Sequence, residues 1–302
     1  MTKPAPEARR TLTLHIGTGK AGSTSIQSHI NALDPSRCGL RVIRTFGTPH
    51  AKFLAMSCRS PIAYSYFVER RGTMTEAEFN ENAETIWERT RSEVEASRAR
   101  RFVASSEFVG SMIRGDDVAT LRDRLESLFD RIDVVVYLRD QRAFLRSLWA
   151  QSVKGPAKSG QSFDDFMETM DGRRYLWDYS IFLKQWLRVF GCEALKVTVF
   201  DPRALHDGDV VADFFHKAGL DAVPVSLEEE RRNVSPSWPE LEVLRLRNLA
   251  RKGQSAKDGP SAEERSPDPA RHELLVLEKV SKGNRWVNET FFDGGPARLP
   301  VR

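Results

Sequence analysis

An apolar run, a glycine-rich turn and a helical pattern stand together near the start of the chain: TLTL at 11–14, HIGTGKAGSTS at 15–25, then SIQSHINALD from Ser25. A strand, a turn and a helix in that order hold a phosphate, because the turn lets backbone amides converge and the helix N-terminus is electropositive. The nucleoside triphosphate version of the frame reads G-x-x-x-x-G-K-[ST]. Laid on it, Gly17 and Gly22 take the two glycines and Thr24 the hydroxyl, but Ser23 stands where the lysine belongs. The lysine, Lys20, comes three residues early. A lysine inside the loop sits beside the 5′ end of a nucleotide and does not reach out to a γ-phosphate. That suits a donor whose leaving group is the 5′-phosphate itself.

The rest of the chain alternates strands with helices. Ile26, Ile30 and Leu33 fall at helical spacing after the loop, and LRVIRTF (40–46) reads as a second strand. Residues 75–100 form an amphipathic helix with Phe79, Ala83, Ile86, Thr90 and Val94 on one face. RFVASSEF (101–108) is a third strand, and a helix over 116–130 carries Val118, Leu121, Leu125 and Leu128. IDVVVYL (132–138) is continuously apolar and β-branched, as a central parallel strand covered on both faces should be. A helix begins near Gln141, a loop spans 153–162, and helices follow at about 163–170 and 175–190. In the last of these Tyr179, Leu183, Trp186, Leu187 and Phe190 make a core-facing stripe, not a sugar platform. ALKVTVF (194–200) is another strand, with helices at 209–218 and 238–250. The pattern predicts an α/β fold, a parallel β-sheet flanked by helices in three layers. Ligands of such sheets gather at the carboxyl ends of the strands. The loop at 17–25, Glu107 and Arg139 all fall there.

Composition sets the outer limits. The 302 residues suit one domain over 11–302, preceded by a disordered tail at 1–10 and interrupted by a flexible, Gly/Pro/Ser-rich insertion at about 252–270. A net charge of +4 suits an anionic ligand without calling for nucleic acid. Three cysteines (Cys38, Cys58 and Cys192) with no C-x-x-C pair argue against a disulfide framework or a structural zinc site. No apolar stretch approaches the ~20 residues that span a bilayer, so a soluble, cytoplasmic protein without a transmembrane segment is expected.

GTGKAGSTS resembles the 5′-phosphosulfate loop of sulfotransferases that use 3′-phosphoadenosine 5′-phosphosulfate (PAPS). The core of that loop is approximately Lys-[Ser/Thr/Ala]-Gly-[Ser/Thr]-[Ser/Thr], matched by Lys20, Ala21, Gly22, Ser23 and Thr24. A second signature of the family is an Arg just after a strand with a Ser eight residues on, matched by Arg139 and Ser147 in VVVYLRDQRAFLRSLWAQ. RRNVSPSWPELEVLRLRN is similar to a recurrent C-terminal segment of the bacterial branch, and GNRWVNETFF (283–292) is a weaker echo. The resemblance covers roughly residues 11–250 and implies a P-loop sulfotransferase-like architecture.

The resemblance also implies chemistry. The loop residues Gly19, Lys20, Ala21, Gly22, Ser23, Thr24 and Ser25 would hold the 5′-phosphosulfate. Arg139 and Ser147 would hold the 3′-phosphate, with Asn284 and Arg285 approaching the nucleotide. Lys20 would meet charge developing on the leaving oxygen, so that no metal is required, and PAP would be the product. The acceptor's hydroxyl (or amine) needs a base. Glu107 stands where the Glu-using branch has its base, and His50, on the acceptor side, is the competing candidate. Acceptors would be carbohydrates, lipids or other small molecules. Two other readings remain: a P-loop nucleotide kinase, and a catalytically inactive nucleotide-binding protein.

Overall fold

In the computed structural model the described residues are 9–34, 38–47, 53–220, 236–251 and 268–302. Arg131–Leu138 forms the longest strand, β4, and every residue from Val134 to Leu138 is completely buried. Its β-branched run fits a pleated surface packed on both faces. Four more strands join it: β1 (Thr11–His15), β2 (Leu40–Val42), β3 (Arg101–Ser105) and β5 (Leu195–Val199). All pair in parallel, in the order β2-β3-β1-β4-β5. β1 is central, with Leu14 opposite Ala104 on one side and Val134 on the other. From β1 the chain runs out to β2, returns through β3, and crosses to β4 on the far side. The carboxyl end of β1 is therefore the point where the winding reverses, which is where open parallel sheets hold ligands.

Helices carry the parallel crossovers. In the order of the chain they are α1 (Ser23–Asn31), α2 (Phe53–Ser57), α3 (Pro61–Tyr64), α4 (Glu76–Glu95), α5 (Glu107–Met112), α6 (Asp116–Glu126), α7 (Gln141–Lys154), α8 (Phe163–Asp171), α9 (Tyr179–Ala194), α10 (Val210–Lys217), α11 (Trp238–Arg251) and α12 (Pro269–Phe291). A π-helical turn, Ser65–Arg70, follows α3. The predicted apolar faces are the buried ones: Ile26, Ile30 and Leu33 after the loop, Phe79, Ala83, Ile86, Thr90 and Val94 on α4, and Tyr179, Leu183 and Trp186 on α9. Thr75 and Glu78 form a reciprocal capping box that fixes the start of α4.

The described residues of Met1–Leu138, Phe182–Leu227 and Gly294–Ala297 form one compact unit, and those of Arg139–Ile181, Glu228–Asp293 and Arg298–Arg302 form a second. In the first, α1 and α10 bury Ile26, Ile30, Val211, Phe214 and Phe215 against Val103, Val135 and Tyr137 of the sheet. In the second, Phe144, Trp149, Phe163, Trp177, Leu241 and Val280 form a core. Several boundaries differ from the sequence reading, among them β2, which stops at Val42 and not at 46. β3 stops at Ser105, and Glu107 opens α5 instead of ending a strand. Ser106 N–H donates to His15 O at 2.8 Å, the last rung of the β1–β3 ladder, and the helix starts directly after it. At the other end, Asp268 caps α12 by accepting from Arg271 N–H at 3.1 Å, and Pro269 takes its first turn, so Pro269 and Ala270 belong to a helix. Residues 252–267 of the expected insertion and 1–8 of the expected tail lie outside the described residues. No described helix is long and apolar enough to cross a membrane.

Candidate active site

The loop after β1 is tied to β4 before it turns. Thr18 N–H and Thr18 Oγ1 both donate to Tyr137 O, each at 2.9 Å, and Tyr137 N–H donates to Gly17 O at 2.8 Å. The chain then enters α1 through two left-handed residues, Lys20 at φ 64° and Gly22 at φ 80°. For Gly22 the conformation carries little strain, and its missing side chain matters as well: a Cβ there would stand 2.6 Å from Val210 Cγ1 and 3.2 Å from Phe200 Cε2. For Lys20 the same region costs about 1–2 kcal/mol. Strain of that kind on a residue other than glycine collects at ligand-binding turns.

Ser23 opens α1 and is buried, and its Oγ donates back to Thr18 O at 3.1 Å. That hydroxyl closes the loop on itself. Thr24 is exposed and Ser25 half-buried, so these two carry their hydroxyls on the accessible side. No side chain caps α1 and no acidic residue stands in its first turn. Its leading amides and the positive end of its dipole are left for an anion.

Glu107 belongs to the same place. α5 packs on the end of β1 so closely that a Cβ on Gly110 would lie 2.2 Å from Ile16 O. A side chain on Gly17 would lie 3.6 Å from Cα of Glu107. The half-buried Glu107 carboxylate accepts a hydrogen bond from Gln27 Nε2 at 2.7 Å. Gln27, on α1, is 1% exposed. A buried amide therefore fixes the orientation of the carboxylate beside the loop. The sequence reading missed Gln27. Its signal was a polar residue on the buried stripe Ser23–Gln27–Ile30 of the helix that follows the loop.

Beneath the loop, His15 ends β1 with its Nδ1 2.7 Å from Ser105 Oγ. Burial pushes its pKa down from 6.5 to about 3, against a smaller raising effect from Gly17. Tyr137 Oη donates to Asp213 Oδ2 at 2.7 Å, and burial together with that carboxylate raises the phenol's pKa well above its ordinary value.

In the second unit, Arg139 is half-buried, and its carbonyl accepts from Tyr179 Oη at 2.7 Å. Burial pulls the guanidinium's pKa down, while Tyr179 and Asp140 work against that. Asp140 caps α7 by accepting from Arg142 N–H at 2.9 Å, and Ser147 lies half-buried on the same helix. Asn284 is buried. Its Oδ1 accepts from Gln141 Nε2 at 2.6 Å, and its Nδ2 donates to Gln141 Oε1 at 3.1 Å and Pro300 O at 2.7 Å. Arg285, next to it, is exposed. His50 lies outside the described residues, as do Arg231–Ser235 of the C-terminal segment. Among the described residues no cluster of His, Cys, Asp and Glu has the arrangement of a metal site, and the three cysteines are unpaired with one another.

No protein-family model matches the sequence, and no curated protein matches it. Solved structures that resemble the chain include two sulfotransferases. A sulfotransferase from Alicyclobacillus acidocaldarius aligns at 15% identity and a TM-score of 0.42, over 80% of this chain and 94% of its own. The sulfotransferase domain of the olefin synthase from Synechococcus PCC 7002 aligns at 13% identity and a TM-score of 0.41, over 92% and 97%. Both are sulfotransferases.

Proposed function

We propose that the protein transfers a sulfuryl group from PAPS to a hydroxyl or amine of a small-molecule, glycan or lipid acceptor. The observation that carries this reading is the loop: a lysine held left-handed, two residues before a glycine that admits no side chain, at the mouth of an uncapped helix. PAPS, when bound, supplies the sulfuryl group and a 5′-phosphate leaving group. The leading amides of α1 with Thr24 and Ser25 bind the 5′ end. Ser23 holds the loop's shape through Thr18. Lys20 meets the charge that grows on the leaving oxygen, a contribution of about 3–4 kcal/mol for a donor of this type. Arg139 and Ser147 hold the 3′-phosphate. Glu107, oriented by Gln27, takes the acceptor's proton.

Thermal denaturation with PAP, ADP and GDP in EDTA tests this directly. A ligand present at 100 times its Kd stabilises the folded state by about 2.7 kcal/mol. PAP alone should raise the melting temperature by several degrees, and Arg139→Ala should abolish the rise, because a phosphate then loses a charge-assisted partner. Equal stabilisation by ADP or GDP would overturn the assignment.

A further inference from the structure

The second unit contains a cavity of about 200 Å³, walled by Arg142, Arg146, Phe163, Trp238, His272 and Glu273 among others; neither Arg139 nor Ser147 lines it. Three of these residues form a ring wall. The centroid separations are 5.1 Å for Phe163–Trp238, 4.7 Å for Phe163–His272 and 5.7 Å for Trp238–His272.

The two guanidinium groups differ. Arg142 is neutralised by Asp140 at 2.6 Å and by Glu273 at 3.5 Å. Arg146 donates to Pro236 O at 2.9 Å and lies 5.3 Å from the centroid of Trp238. Its Nε is buried without a hydrogen-bond partner, and no carboxylate pairs with it among the described residues. His272 is 4% exposed; its Nε2 bonds Asp164 Oδ1 at 3.1 Å, and its Nδ1 is buried and unmatched.

A partly buried cation without a counter-ion is costly, and an anion brought to it forms a strong charge-assisted contact. The rings beside it offer flat apolar faces, on which a guanidinium and a planar ligand both stack well. Size narrows the class. An apolar cavity of ~150 Å³ holds a benzene, whereas pockets for drug-sized ligands run to ~300–1,000 Å³. The space fits one ring and one small anionic group. Glu273, at the same cavity, repels a second negative charge.

We propose that this cavity binds a planar single-ring aromatic monocarboxylic acid, with its carboxylate on Arg146 and its ring against Trp238, Phe163 and His272. The proposal does not depend on PAPS binding. Titration of the full-length protein with benzoate, followed by calorimetry, tests it. Benzoate should bind saturably at one site. Neutral benzamide, acetate, and phthalate with its second carboxylate should each bind at least about tenfold weaker. Arg146→Gln should weaken benzoate by about tenfold or more and leave benzamide unchanged. Benzamide or acetate binding as tightly as benzoate would overturn the proposal, as would the absence of saturable binding. These ligand comparisons use the unaltered protein, so they decide the matter even where Arg146→Gln fails to fold. A folded Arg146→Gln protein with undiminished benzoate affinity would equally refute it.

Discussion

Replacing Gly22 by alanine adds one methyl group at the most constrained point of the loop. Two costs follow from the geometry. At φ 80° an alanine is in left-handed backbone, worth about 1–2 kcal/mol. Its Cβ would also stand 2.6 Å from Val210 Cγ1. Val210 is buried in the first turn of α10, and its branched side chain has little rotamer freedom to retreat. Overpacking of this kind costs about 1–3 kcal/mol. Together the expected loss is about 2–5 kcal/mol, read as a lower midpoint in urea at an unchanged m-value. Gly19 is the control. It is not left-handed, and a Cβ there has nothing within 4 Å, so Gly19→Ala should stay within about 0.5 kcal/mol of wild type. Val210→Ala combined with Gly22→Ala separates the two costs, because only the steric part should show as coupling between the sites. Gly22→Ala as stable as Gly19→Ala would mean that the loop does not close on α10 as described.

Three other outcomes are expected. Lys20→Gly should fold at least as stably as wild type, since relief of ~1–2 kcal/mol of left-handed strain is only partly offset by ~0.5–1 kcal/mol of extra chain entropy; turnover should nevertheless fall about 10²–10³-fold in a PAPS assay, and a stable, active variant would remove Lys20 from the chemistry. Glu107→Gln should lower turnover about 10²–10⁴-fold with PAP affinity unchanged in calorimetry, whereas near-normal activity would pass the base role to His50. His15 stays neutral in the folded protein down to about pH 3, but takes a proton below 6.5 once unfolded. Stability should therefore be lost as pH falls through that window, by up to ~1.4 kcal/mol per unit from this residue. His15→Gln should remove about one proton's worth of that slope in urea titrations at pH 4 to 6, and an identical slope would refute the assignment.

The sheet was legible wherever a strand is buried on both faces. VVVYL has no solvent side, so its apolar run needs no partner to be recognised. The helices α4 and α6 announce themselves by stripes that are buried, and α9 by one whose Tyr179, Leu183 and Trp186 are buried while Leu187 and Phe190 are half-buried. What escaped was short or polar. α5 has six residues, too few for a period to show, and it begins one residue after a strand whose apolar pattern continues through Phe108. α12 is 23 residues long but starts inside a Pro-rich, charged stretch. Its signal was local, Asp268 before Pro269, a cap and a first-turn proline read as part of a loop.

The loop was legible for a different reason: glycine spacing reports backbone need. Gly17 and Gly22 are left-handed, and a sequence shows such positions because few other residues tolerate them. Lys20 breaks that correspondence. It is left-handed too, and nothing in its identity says so. A chain selected for stability alone would place glycine or asparagine there. The proposed role gives a reason for a lysine there, and the hydrogen bonds from Thr18 to Tyr137 and from Ser23 to Thr18 hold the loop in that shape. Gln27 does the equivalent for Glu107 from the other side of α1's first turns. Sequence pattern thus names the residues proposed to react, because their chemistry is scarce. The residues that aim them, a buried glutamine and a serine turned inward, use ordinary polar groups and are recognised only once the chain is folded around them.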